Sequence, residues 1–259
     1  MAIALVANTA AQGTTSGATT SGIDTTGANL LVVVLATYQA TTEAAISDSK
    51  SNTWTGLTAS HDGSVSRTRI FYCLNATVGA SHTFTCSQAS SFSSLAVSAW
   101  SGVITSSAFD VGNGANSFTA VTSIATNSVT PSENGSLLIT GGCWASVGAP
   151  DSSSINNSFS VLNALGNVSG QSFGVLHGYR IQTTAAAVNP TISWTTLSGV
   201  SVSIATFKPA APGGPFPFHL DSGSMSGGCQ SLGFNRLAHK WPHWKTTRRA
   251  SGLLLAQAG

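Results

Sequence analysis

Apolar and polar positions alternate with period two along most of this chain. In Leu95–Trp100, Leu95, Val97 and Ala99 fall on one face, and Ala96, Ser98 and Trp100 on the other. In Arg67–Leu74, Arg69, Phe71 and Cys73 alternate with Thr68, Ile70 and Tyr72. That period belongs to a β-strand. It predicts strands at Ile3–Ala7, Thr53–Ala59, Arg67–Leu74, His82–Ser87 and Leu95–Trp100. It predicts a linker strand at Phe118–Ile124, then strands at Ser158–Leu162, Phe173–Ile181, Thr191–Trp194 and Val200–Phe207. Asn29–Tyr38 is almost continuously apolar and β-branched, as in a central strand covered on both faces. Leu137–Trp144 is its second counterpart. No window keeps an apolar 3.6-residue period for three turns, and the abundant Gly, Ser and Thr further penalise helix.

The order of these strands occurs twice. ANLLVVVLATY is echoed about 107 residues later by GSLLITGGCWA. RTRIFYCLNATVGASHTFTCS is echoed by GVLHGYRIQTTAAAVNPTISW, and SSLAVSAW by VSVSIATF. Leu30 thus matches Leu137, Tyr72 matches Tyr179, and Trp100 matches Phe207. Two such halves packed face to face would close one β-sandwich of roughly 200 residues, within the size range of a single domain.

The repeat stops at Lys208–Pro217, KPAAPGGPFP, where proline and glycine end the last strand. The expected domains are a sandwich over 1–209 and, over 210–259, a Pro/Gly-rich linker with a basic arm. The arm lacks strand periodicity. Its Trp241, Trp244, Arg248, Arg249, Leu253 and Leu254 suit docking on its own body or on a neighbouring subunit.

Charge sharpens this division. Only 7% of the residues are charged, against roughly 25% in ordinary globular proteins. Hydroxyls replace charges on the solvent faces and can hydrogen-bond turns and strand edges locally. Residues 1–208 carry five basic and seven acidic side chains, and the remainder five basic and one acidic. A weakly acidic body excludes broad electrostatic capture of nucleic acid. The run LLVVVLA is far shorter than a bilayer span, so no membrane insertion is expected. MAIALVANTAAQ lacks the basic n-region of a secretory signal, which sets the expectation of a product made in the cytoplasm.

Candidate chemistry is thin. Gly170-Gln171-Ser172-Phe173-Gly174 fits GxSxG, but a nucleophile elbow needs a strand before the Ser and a helix after it. Here a turn precedes and a strand follows, so a chance match is expected. The carboxylates Asp24, Glu43, Asp48, Asp62, Asp110, Glu133 and Asp151 lie in turn-like contexts where acids are ordinary. Asp48, Asp62 and Asp110 are the candidates for a loop-borne calcium, which wants several oxygen ligands. His219, Cys229, His239 and His243 match no zinc spacing. No cofactor or metal is expected. Cys73, Cys86 and Cys143 sit in apolar strand patterns and read as free, buried thiols. Of the aromatics that could stack on a sugar, Trp54, Tyr72, Trp100, Trp144, Tyr179 and Trp194, most read as core. Trp54 follows the polar loop SDSKSN and is the one expected to be exposed.

The segments GANLLVVVLATY, SDSKSNTWTGLT, SSLAVSAWSGVITSSAFD and NPTISWTTLSGVSVSIATFKPA resemble uncharacterised β-sandwich modules of phage structural proteins and bacterial surface proteins. The resemblance covers about residues 1–210. It implies a jelly-roll or lectin-like sandwich used in virion building or surface attachment, with no catalytic residues to carry over.

The expected fold is therefore all-β: a single jelly-roll-like antiparallel β-sandwich from two related halves, plus an irregular C-terminal arm. The expected function is that of a non-enzymatic virion structural protein, a capsid decoration or a tail or fibre component, acting by assembly and surface attachment. Its partners would be other virion subunits or copies of itself, with homo-oligomer formation and surface glycans in view. The alternative is a carbohydrate-binding, host-attachment module, on a virion or at a cell surface. A hydrolase ranks last.

Overall fold

The computed structural model describes residues 2–39, 41–57, 61–62 and 65–211. Among them there is no helix, and all strand pairing is antiparallel apart from the isolated bridge between Val147 and Asn167. The first half comprises β1 (Ala4–Gln12), β2 (Gly17–Thr19), β3 (Leu30–Tyr38), β4 (Ala45–Asp48), β5 (Thr55–Gly56), β6 (His61–Asp62), β7 (Ser66–Leu74), β8 (Phe84–Ser87) and β9 (Ser94–Ser101). The second half comprises β10 (Phe109–Ala125), β11 (Ser136–Trp144), β12 (Ser154–Ile155), β13 (Ser160–Leu165), β14 (Gly174–Gln182) and β15 (Thr191–Phe207).

Pairing in the first half is nested: β1 with β9, β2 with β8, β3 with β7. This first-with-last wrapping is the jelly-roll order. It gives one sheet, β1-β9-β3-β7-β5 with β6 also on β7, and a smaller outer sheet, β2-β8-β4. The second half repeats the order as β10-β15-β11-β14-β13, with β12 on β15. The registers repeat too. Leu30 lies between Leu74 and Trp100, and Leu137 lies between Ile181 and Phe207. The expected all-β sandwich from two related halves is present.

The two large sheets pack with β3 against β11, β9 against β14, β7 against β15 and β1 against β13, an arrangement close to two-fold. Their shared core holds Leu30, Val32, Val34, Ala36 and Trp100 from one half, and Leu137, Ile139, Cys143, Ala205 and Phe207 from the other. The outer faces are covered as well. Leu31, Val33 and Leu35 meet Phe84 and Cys86 of the small sheet. Leu138, Trp144, Val202 and Ile204 pack with Ile155, Ile192 and Trp194. Central strands sandwiched between two apolar layers explain why β3 and β11 carry unbroken apolar runs.

Two boundaries differ from the sequence reading. Phe118–Ile124 is not a separate linker strand but the distal part of β10. Thr191–Trp194 and Val200–Phe207 are the two ends of one 17-residue strand. The polar stretch between them, Thr195–Gly199, reads as a turn. It stays in the strand because β10 and β15 remain paired on either side of it, with the register slipping on both strands between Ser117 and Ser123 as they pass from the inner to the outer layer. In the first half the same passages are broken, between β1 and β2 and between β8 and β9. The strand expected at Thr53–Ala59 is reduced to Thr55–Gly56 within the described residues.

Candidate functional site

A buried polar cluster ties the first half together. Thr25 Oγ1 lies 2.9 Å from His82 Nδ1, and His82 Nε2 lies 3.0 Å from Asp48 Oδ1. The order Thr–His–Asp imitates a catalytic relay, yet all three side chains are fully buried. The Thr25 hydroxyl is engaged with the Gly79 backbone, donating to its carbonyl at 3.2 Å and accepting from its N–H at 3.0 Å. Asp48 Oδ1 also accepts from Lys50 N at 2.8 Å, and Oδ2 from Trp54 Nε1 at 2.8 Å. Burial opposes ionisation of Asp48, but donation from His82, Lys50, Trp54 and Asn52 outweighs it and holds the carboxyl below its ordinary range. The cluster is a clamp that joins β4, the loop before β3 and the start of β8.

Trp54 belongs to that clamp. It is half-buried rather than exposed, with its ring edge-on to Phe84 at 6.1 Å. The pull of Asp48 on its indole N–H draws it onto the core. Trp100, Trp144 and Trp194 are buried, as expected, and Tyr72 and Tyr179 are partly buried against the shared core.

Asp151, Asp110, Glu43 and Asp24 are also engaged in the fold. Asp151 accepts from Thr195 N, Thr196 N and Thr196 Oγ1. Asp110 Oδ2 accepts from Ser132 N at 2.7 Å. Glu43 is ion-paired with Arg69, and Asp24 accepts from Thr26 N. No cluster of three metal-ligating side chains occurs among the described residues. Of Asp62, only its place in β6 is described. Cys73, Cys86 and Cys143 are free and buried, and burial pushes the first two thiols up to about 11.

The GxSxG stretch forms a turn closed by Ser172 N donating to the Val168 carbonyl at 3.0 Å. Ser172 Oγ is buried with no hydrogen-bond partner, so it reaches no histidine. His177 instead faces the shared core, its Nε2 3.2 Å from Ser98 Oγ, which accepts from Trp100 Nε1 at 2.7 Å. Burial pushes His177 down to about 3, with the Ala96 backbone opposing only in part.

Among the described residues two cavities lie where the halves meet, one against Ala2, Ile3, Asn134 and Ile181, the other lined by aromatic rings. The aromatic cavity has a volume of about 300 Å³ and draws Tyr38 and Phe92 from the first half, and Ala145, Val147, Asn167–Gly170, Ser172 and Phe173 from the second. Tyr38 and Phe173 stack with centroids 6.1 Å apart and planes within 8°, and Phe92 meets both edge-on. The wall is fixed by Phe173, whose N–H donates to the Phe92 carbonyl at 2.8 Å and whose carbonyl accepts from Ser94 Oγ at 2.6 Å. Phe92 takes a φ of 51°, unusual for a bulky residue and costly unless its surroundings impose it. The lining has no charged side chain. It can hold a flat, partly apolar face while offering neutral donors and acceptors from Tyr38, Asn167, Ser169 and Ser172. Sequence reasoning missed these aromatics. The repeat held a signal for them: the equivalent positions are Ala145 for Tyr38, Gly199 for Phe92 and Ser66 for Phe173.

Trp241, Trp244, Arg248, Arg249, Leu253 and Leu254, and the histidines and cysteine of the arm, lie outside the described residues. No described helix is long and apolar enough to cross a membrane. The fold and site define an all-β, internally duplicated antiparallel sandwich. Comparison with protein-family models, with curated proteins and with solved structures found no match.

Proposed function

We propose that this chain is a non-enzymatic structural component of a virion, a capsid-surface decoration or a part of the tail or fibre, that acts through assembly and surface attachment. The observation that carries the reading is the use of its reactive side chains. The Thr25–His82–Asp48 relay is sealed in the interior, and Asp110 and Asp151 hold loops to strands. The chemistry available to the body is thus spent on stiffness. Three packed antiparallel sheets suit a protein whose work is to keep a shape.

The surface supports an assembly role. Phe118 is 70% exposed and Leu197 60%, and both sit where the β10–β15 ribbon turns between layers. Large apolar side chains of this kind are favoured at protein contacts. The basic, Trp-containing arm supplies a second means of contact, suited to symmetric oligomers. The test is to purify particles from the cells that make the protein and identify their subunits by mass spectrometry. The chain should co-purify with particles at a fixed stoichiometry. Recovery in the soluble fraction alone would argue against the reading.

A carbohydrate-binding, host-attachment module is the second reading. The aromatic cavity between the halves favours it, and it is compatible with a place on a virion or at a cell surface.

A further inference from the structure

The aromatic cavity at the junction of the halves has features that packing alone does not require. Two related halves would be expected to meet alike on both sides of their pseudo-axis. They do not: in this cavity Tyr38 stands beside its own repeat counterpart Ala145, and Phe92 and Phe173 occupy places where the repeat has Gly199 and Ser66. The backbone at Phe92 takes a φ of 51°. One polar group beside these rings is left without a partner. Ser172 Oγ is buried and unpaired. Asn167, at the same wall, is fixed by Nδ2 donating to the Trp144 and Ala145 carbonyls at 3.3 Å. A buried polar atom without a partner is a cost that an incoming hydroxyl can remove.

We propose that this cavity binds one neutral pyranose ring of a surface glycan. The proposal rests on the attachment part of the function proposed above. A pyranose presents C–H faces to aromatic rings and hydroxyls around its edge, which is the division this wall makes between Tyr38, Phe92 and Phe173 and the Asn167–Ser172 rim. The absence of charge from the lining disfavours carboxylated or phosphorylated ligands, since an ion taken from water would find no counter-charge. A volume of about 300 Å³ has room for a single ring and its ordered water, not for a folded peptide element.

The test uses the full-length protein and saturation-transfer NMR with the methyl glycosides of glucose, galactose, mannose and N-acetylglucosamine. Glucuronate and sialic acid serve as charged controls and indole as an apolar one. At least one neutral glycoside should receive saturation, and the charged sugars should not. Val147 is 62% exposed at the cavity mouth, so Val147→Trp should block the site with little effect on folding. It should weaken binding about tenfold or more, and Tyr38→Phe about threefold through loss of one hydroxyl contact. Melting curves of both variants verify that they are folded. The proposal is overturned if no neutral glycoside binds, if indole binds and the glycosides do not, if the charged sugars bind as well, or if binding is unchanged in Val147→Trp. A negative result here leaves particle assembly untouched, because that is read separately from subunit composition.

Discussion

Val34 and Gly141 occupy equivalent places in the two halves and face each other across the shared core. Val34 lies between Ile70 and Ala96, and Gly141 lies between His177 and Ser203. A Cβ on Gly141 would sit 2.7 Å from Val34 Cγ1 and would also crowd the Leu176 carbonyl. The duplicated strands cross here, and one of the two copies has given up its side chain so that they can approach.

Gly141→Ala should therefore overpack the centre and lower stability by about 1–3 kcal/mol. Val34→Ala alone should cost a similar amount through the space it leaves. The double variant should be less destabilised than the sum of the two, because part of the Gly141→Ala clash is with Val34. Full relief is not expected, since the Leu176 carbonyl remains in place. Urea unfolding of the four proteins measures the coupling, and simple additivity would contradict the contact.

His177 should make the fold acid-sensitive. Its value in the fold, about 3, lies below the ordinary 6.5 because burial disfavours the charged ring. The neutral side chain's contribution is complete above about pH 6.5 and is lost as pH falls towards 3, as the unfolded chain takes up the proton first. Within that window one such group contributes a slope of about 1.4 kcal/mol per pH unit. His177→Ile, which copies Ile70 of the other half, should flatten the slope. Denaturant midpoints from pH 7 to pH 4 read the effect, and an unchanged pH profile would refute it.

Asp48 should matter more than its surface-loop context suggests. Asp48→Asn replaces an acceptor by a donor in front of donors from His82, Trp54 and Lys50. The expected loss is about 2–4 kcal/mol, in line with buried hydrogen bonds to a charged group. Because the folded carboxyl is held below its ordinary 3.8, this contribution persists above that pH and fades only as pH drops below it. Trp54 fluorescence should shift to the red in the variant as the indole loses its anchor.

The sequence displays the parts of the fold that depend on local pattern. The unbroken apolar runs of β3 and β11 are legible because both faces are covered, and alternation marks β7 and β9. The continuity of β15 through Thr195–Gly199 is not legible, because Asp151 and the pairing with β10 on either side hold it from a distance. Trp54 is misread for the same reason: its partner Asp48 looks like a turn residue. The cavity is the hardest case. Tyr38, Phe92 and Phe173 come from separate strand ends, and only their mismatch with Ala145, Gly199 and Ser66 sets them apart.

Assembly is the central functional claim, and sedimentation velocity of the full-length protein across micromolar concentrations tests it most directly. The account predicts a discrete oligomer that persists on dilution and that Phe118→Ser with Leu197→Ser weakens while melting is unchanged. A single-chain mass at every concentration would contradict it.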